Sequence, residues 1–473
     1  MLLLVANILF CLSLHPNKQT FTLPNRIFMK ANLLFSALLL LITILPARAQ
    51  VKFDDYFLQK TMRFDYYHAG DARSEYFFFD EVIEEPYWAG NKHYLVDDRE
   101  MGNHLFKLID KASGKVIYQR GYSTLFAEWA CTPEAKQTSK AMPEGVTFPY
   151  PKNDVIIEFY TRQNNTGKFV KKFSYDIDVD SYFVRKAKPA YETFDVHYTG
   201  NPAKRVDIVL IAEGYTEANK QAFIDACKGF ADDFFSYAPY SENRNNFNIR
   251  AVWTPSQEAG VSIPGEHLWR NTALNAHYYT FDSERYQMIE DYQAILDVAS
   301  CVPYEIIYIL TNSQKYGGGG IYNFYGISAA NIPGPSTRKT YSHEFGHLFV
   351  GLGDEYVGGS DMSDLYFPNV EPWEPNITTL TNLEAKSWYS LMNGKYEPVK
   401  REDGDKFNPN SPNAELYNPK KPWQLGVYEG AGYLEKTVYR PWPNCMMNWF
   451  HTVDVYCPVC QHEIQQTIDL FTK

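Results

Sequence analysis

At 473 residues the chain is longer than one folded unit usually is, so two or three are expected. Hydrophobic residues make up 45% and charged residues 21%, a globular balance that argues against a disordered chain. The formal charge of −11 comes with no basic run, which argues against nucleic acid as a partner.

The first 49 residues hold Lys18, Arg26, Lys30 and Arg48 and no acidic residue. Met29-Lys30, the apolar stretch from Ala31 to Leu45, and Ala47-Arg48-Ala49 have the order of a signal peptide. The pattern predicts a leader over 1–49 with its true start at Met29. Cleavage near Ala49-Gln50 would release an exported mature chain, periplasmic, cell-surface or extracellular. The stretch is short for a spanning helix, and no later segment is long and apolar enough, so no transmembrane segment is expected in the mature chain. Less the four leader residues, 41 basic residues face 56 acidic ones, a formal charge of −15. Cys11 falls in the leader. Cys131, Cys227, Cys301, Cys445, Cys457 and Cys460 remain, an even number that permits disulfides in an exported chain without assigning their pairing.

From about 51 to 195 short strands alternate with turn signals. Glu75–Phe79, Val155–Tyr160 and Phe169–Phe173 are strands of this kind, with breaks at Ala112-Ser113-Gly114 and Asn164-Asn165-Thr166-Gly167. The spacing predicts a β-sandwich over 50–195, a packing or substrate-positioning module without a catalytic constellation. Near residue 200 the pattern changes. Val206 to Ala212 is nearly continuous apolar sequence, as in a strand buried on both faces. Gly214 ends it, and Thr216 can cap a helix to about Phe235 with Phe223, Ala226, Cys227 and Phe230 on one stripe. Strands are expected at Phe247–Trp253, Glu305–Leu310 and Ile321–Ala329. The breaker Pro333-Gly334-Pro335-Ser336 should precede a helix from Thr337 to about Leu352, and 398–423 reads as a long surface loop. The whole is an α+β, multidomain chain: a sandwich followed, over 196–473, by an α/β domain with a mixed sheet.

On the predicted helix, His343 and His347 are four residues apart, which stacks their imidazoles on one face where they can share one zinc ion. Glu344 beside them is placed as general base, taking a proton from water and delivering it to a leaving amine. The turn Gly351-Leu352-Gly353-Asp354 can bring a third ligand back, which favours Asp354, with Glu355 as its neighbour and local competitor. A longer excursion would offer Glu371, Glu374 or Glu384 instead.

His343-Glu344-Phe345-Gly346-His347, with Gly351-Leu352 and Asp354-Glu355-Tyr356, resembles the IgA-peptidase family of metallopeptidases, of the metzincin-like clan. Asp207–Thr216, Gly430-Ala431-Gly432-Tyr433 with Tyr439-Arg440-Pro441, and Cys445-Met446-Met447 with Cys457-Pro458-Val459-Cys460 are similar to it too. Phe64-Asp65-Tyr66-Tyr67-His68 resembles the sandwich placed before the catalytic domain in these proteins. The resemblance implies a zinc peptidase acting on protein or peptide, with two helix histidines, an acidic third ligand, and a methionine turn supplied by Met446 or Met447. Compared with the usual metzincin spacing, Gly351 and Asp354 each lie one residue late.

Other groups have plainer readings. Tyr433 or Tyr456 is a candidate oxyanion stabiliser. Cys457-x-x-Cys460 with Cys445, His451 and His462 has spacing compatible with a second zinc site, although a disulfide is the expectation in an exported chain. Gly317–Gly320 lacks the Lys-Ser/Thr of a phosphate loop and reads as a turn, after which Ile321–Ala329 would edge the cleft. Glu213-Gly214-Tyr215 closes a strand, and Asn376-Ile377-Thr378 is a glycosylation sequon.

Overall fold

Between residues 57 and 186 the alternating segments form two four-stranded sheets. One contains β1 (Phe57–Gly70), β2 (Glu75–Glu85), β5 (Lys140–Pro151) and β8 (Arg185–Lys186) in the order β5-β1-β2-β8. The other contains β3 (His104–Asp110), β4 (Val116–Tyr122), β6 (Val155–Arg162) and β7 (Phe169–Ile177) in the order β4-β3-β6-β7. Every pairing is antiparallel except β2 with the short β8. Because side chains alternate across each strand, Phe64, Tyr66 and Phe77 of the first sheet meet Phe106, Leu108 and Phe159 of the second in one buried core. Tyr66 and Phe159 pack edge to face with ring centroids 5.0 Å apart, the arrangement their quadrupoles favour.

The computed structural model describes residues 51–332, 336–358, 365–401, 424–448, 453 and 455–473. The leader read at 1–49, the breaker at 333–335 and most of the loop read at 398–423 lie outside the described residues. No helix among those described is long and apolar enough to cross a membrane.

The apolar run near residue 206 becomes the centre of a six-stranded mixed sheet. Its strands are β9 (Glu192–His197), β10 (Val206–Glu213), β11 (Phe247–Trp253), β12 (Ile306–Thr311), β13 (Gly318–Gly320) and β14 (Gly326–Ala329). The order is β13-β14-β12-β10-β11-β9, and β10 runs parallel to both neighbours. All of β10 is buried, and its alternation divides it between two cores. Ile208, Leu210 and Ala212 face helices Lys220–Phe234 and Pro458–Thr472. Val209 and Ile211 face helix Tyr292–Ala299 and, from the N-terminal half, Leu125, Phe126 and Trp129 of a short helix. The two halves of the chain therefore share apolar core, and β9 straddles the boundary expected at 195.

Two expectations change in detail. The helix at Thr216 begins as a 3-10 turn, Glu217–Asn219, and becomes α-helical over Lys220–Phe234; Phe223, Cys227 and Phe230 are buried as the stripe requires, while Ala226 is only partly covered. The strand read at Ile321–Ala329 is instead a hairpin. Gly318–Gly320 forms the edge strand, antiparallel to β14, with the turn between them. The glycines permit this: a Cβ on Gly320 would stand 2.2 Å from the Glu344 carbonyl oxygen, so only a residue without one lets the strand lie against the helix. A third sheet holds β15 (Pro398–Val399), β16 (Val427–Ala431) and β17 (Leu434–Arg440) and carries Tyr433 at the turn between its last two strands.

Candidate metal centre and cleft

Helix Ser336–Phe345 runs on into a π turn, Gly346–Val350. Tyr341, Phe345 and Leu348, three or four residues apart, are buried in the core under the six-stranded sheet. Phe345 packs edge to face on Phe234 at 4.7 Å. The opposite face turns His343, Glu344 and His347 into a cleft of about 1750 Å³. The π turn ends at Gly351, whose φ of +72° closes it and whose Cβ would strike the Trp373 ring at 2.6 Å. The chain then doubles back, and Asp354 arrives beside the histidines.

Three atoms converge. His343 Nε2 and His347 Nε2 are 3.2 Å apart, and Asp354 Oδ1 lies 3.2 Å from the first and 3.3 Å from the second. Ligand atoms at tetrahedral corners around zinc, at ~2.0–2.1 Å from the ion, stand about 3.3–3.4 Å from one another. The remaining ring nitrogens are committed: His343 Nδ1 donates to the Met446 carbonyl at 2.9 Å and His347 Nδ1 to the Leu352 carbonyl at 2.6 Å. Neutral rings bonded in this way point their Nε2 lone pairs at each other and at Asp354 Oδ1, a buried oxygen without a conventional hydrogen-bond donor. Three electron pairs facing one point suit a cation. The donor set therefore fits a metal.

Protonation is the other way to relieve this crowding, and the electrostatics reflect it. Burial alone would lower His347, but the charge of Asp354 outweighs it and the imidazole is pushed up to about 9. Burial alone would raise Asp354, yet the two imidazoles hold its carboxyl well below the usual carboxylate range. Glu344 is raised, chiefly by burial and against the pull of His343. A buried carboxyl held upward is a better base than an exposed one.

The surrounding residues fix this geometry. Tyr433 donates to Asp354 Oδ2 at 2.5 Å. Asn376 bonds both Gly353 backbone groups, accepting from the N–H at 2.7 Å and donating to the C=O at 2.9 Å, and so clamps the turn that carries Asp354. Asn376 is fully buried, so the sequon reading gives way to an internal staple. Met447 lies beneath the helix, its sulfur 2.7 Å from where a Gly346 Cβ would sit, while Met446 offers its carbonyl to His343.

The structure separates several other candidates. Tyr456 is buried on the core side and donates to the Ser342 carbonyl, outside the cleft, so of the two tyrosines only Tyr433 lines it, with its hydroxyl engaged by Asp354. Glu213 is buried under a loop and accepts from the Leu274 and Ala276 N–H groups, both at 2.9 Å, a structural role. Glu371 bonds Thr379 and the Asn382 N–H, and Glu374 accepts from Tyr366 at 3.0 Å; both line the same cleft, with these partners and not the histidines on their carboxylates. Glu355 points the other way, to Cys457 and Cys460.

Sequence reasoning missed Glu128. The N-terminal half delivers it to the cleft wall on helix Leu125–Trp129, where Tyr286 donates to it and burial pushes it up to about 7. No local motif marks it. It also missed a buried group in the N-terminal sheets, where Glu75 Oε1 receives His68 Nε2 at 3.0 Å and His104 Nε2 at 2.9 Å and His68 Nδ1 meets Glu144 at 3.0 Å.

Two imidazoles and a carboxylate converging on the floor of an open cleft, with a further carboxylate beside them, form a centre suited to hydrolysis. The chain belongs to the IgA peptidase M64 family. That family's sequence model, described as IgA Peptidase M64, matches residues 194–410 and 407–468, and the one described as Peptidase M64 N-terminus matches residues 52–174. No curated protein matches the chain. It is thus a member of a family of peptidases, hydrolases whose substrates are peptides or proteins.

Proposed function

We propose that the chain is an exported zinc-dependent endopeptidase in which His343, His347 and Asp354 hold the ion and Glu344 is the general base. One observation carries this reading: the triangle of Nε2, Nε2 and Oδ1 atoms with edges of 3.2, 3.2 and 3.3 Å. When bound there, zinc supplies Lewis acidity toward the scissile carbonyl and the attacking water. Glu344, beside the histidines, takes the proton from that water at its carboxylate and returns it to the leaving amine. Tyr433 holds Asp354 by its second oxygen, which keeps Oδ1 turned to the histidines. The edge strand Gly318–Gly320 lines the cleft and offers extended backbone for a substrate strand to lie along.

The metzincin spacing supports the same reading. The one residue by which Gly351 and Asp354 lie late is taken up by the π turn, in which the Gly351 N–H reaches the Gly346 carbonyl five residues back. The packing of Met447 under Gly346 supports a methionine turn at that residue. The two N-terminal sheets, face to face over one core, support the sandwich, and the leader pattern supports export. Glu344→Gln should retain fold and bound zinc while losing at least about 100-fold of its cleavage rate on a protein panel, as loss of a general base implies. A Gln variant that cleaves the panel as fast as the parent would overturn the mechanism.

A further inference from the structure

Behind the cleft lies a second convergence of ligand atoms, distinct from the centre above and built from three distant segments. Glu355 follows Asp354 in sequence, Cys445 precedes the two methionines, and Cys457 and Cys460 open helix Pro458–Thr472. All four side chains are buried, and their oxygen and sulfur atoms lie within 4.8 Å of one another. Cys445 Sγ is 3.8 Å from Cys460 Sγ; Glu355 Oε1 is 3.3 Å from Cys460 Sγ and 3.9 Å from Cys457 Sγ.

These separations fit one explanation better than the others. Around a tetrahedral zinc, with Zn–S near ~2.3 Å and Zn–O near ~2.0 Å, a sulfur–sulfur edge is about 3.8 Å and a sulfur–oxygen edge about 3.5 Å. A disulfide would need its sulfurs about 2.05 Å apart, and three cysteines cannot pair off without a remainder. The cysteines form no disulfide among the described residues, so the expected bridge gives way. Simple thiol bonding does not account for Glu355: Oε1 collects Asn376 and the sulfurs, while Oε2 is buried without a donor. The backbone is arranged for thiolate instead. The Cys457 N–H donates to Cys445 Sγ at 3.1 Å and the Cys460 N–H to Cys457 Sγ at 3.5 Å, the latter at a helix N-terminus, where negative sulfur is favoured. His462 is turned to Gln466, and the fourth group that converges with the three sulfurs is the carboxylate of Glu355, which no motif in the sequence announces; His451 lies outside the described residues.

We propose that Glu355, Cys445, Cys457 and Cys460 bind a structural zinc ion, closed to solvent, that ties the turn carrying Asp354, the methionine segment and the C-terminal helix together behind the catalytic centre. Binding takes up one divalent cation, forms three S–Zn bonds and one O–Zn bond, and releases the three thiol protons to solvent. No oxidant or reductant is needed. The ligand set, three thiolates and one carboxylate with no open position, is that of a structural ion rather than a reactive one.

The test uses the full chain purified without chelator. Plasma mass spectrometry is expected to find two zinc ions per chain, and titration with p-hydroxymercuribenzoate, followed with a zinc indicator, should release one of them. H343A/H347A should keep one ion, all of it released by the mercurial. Cobalt exchanged into that variant should show the intense near-ultraviolet charge-transfer band of thiolate-bound Co²⁺. The proposal is overturned if the folded parent gives up no zinc to the mercurial, or if non-reducing peptide mapping finds two of the three cysteines disulfide-linked in the native chain. These readings need no cysteine variant, so they stand even if Cys445→Ser fails to fold. A parent whose only zinc is mercurial-labile would uphold this site and sink the catalytic one, which keeps the two failures distinguishable.

Discussion

Asn376→Ala probes how far the proposed metal centre depends on a residue outside it. The side chain makes three buried hydrogen bonds: two with Gly353, at 2.7 and 2.9 Å, and one to the Glu355 carboxylate at 3.0 Å. Neutral bonds of this kind contribute about 1 kcal/mol each and a bond to a charged acceptor about 2 kcal/mol, so the truncation should cost about 4 kcal/mol. The loss falls on the turn that presents Asp354, so a second consequence is expected. Outer partners of metal ligands typically carry about 10- to 100-fold in affinity, and the variant should lose zinc to a competing chelator at correspondingly lower chelator concentration. Urea unfolding followed by tryptophan fluorescence gives the first quantity and chelator titration the second. A variant within about 1 kcal/mol of the parent at unchanged m-value, with the same chelator competition, would refute the reasoning.

Gly320→Ala places a Cβ 2.2 Å from the Glu344 carbonyl, a backbone atom that cannot step aside, and should cost about 1–3 kcal/mol together with cleavage activity; thermal melting and a peptide assay read both. Met447→Ala should destabilise by about 2–5 kcal/mol because a fully buried side chain under Gly346 is removed, while Met447→Leu should stay within about 1.5 kcal/mol, and a pair of equal variants would count against a shape-specific role. His68 offers a pH prediction. Burial opposes its charge, but Glu144 and Glu75 outweigh burial and raise it from 6.5 to about 9. A raised folded value means that its stabilisation is complete below pH 6.5 and fades as pH rises through 9, by about 3 kcal/mol in all. Urea midpoints of the parent should fall over that window and those of His68→Gln should fall less; parallel slopes would remove the assignment.

Some of this protein is written in local pattern. An i, i+4 pair of histidines on a helix shares a face whatever the rest of the chain does, so the His343–His347 approach follows from sequence alone. The same holds for β10, where an unbroken apolar run can only be a strand covered on both sides, and for the stripe at Phe223, Cys227 and Phe230. Turn chemistry near Gly351 limited the proposed third ligand to a few acids. The choice between Asp354 and Glu355 was tertiary: the π turn sets the phase at which the chain leaves the helix, so adjacent carboxylates point to opposite sides, one to the histidines and one to the cysteines. Glu128 reaches the cleft only because a short helix of the N-terminal half packs into the core of the other. The Gly318–Gly320 edge carries no apolar alternation, since a strand of glycines is made by its neighbours and not by its side chains. Local spacing decides which side chains share a face of one element; which elements meet, and so which ligands complete a site, is decided by packing between residues as far apart as Glu355 and Cys460.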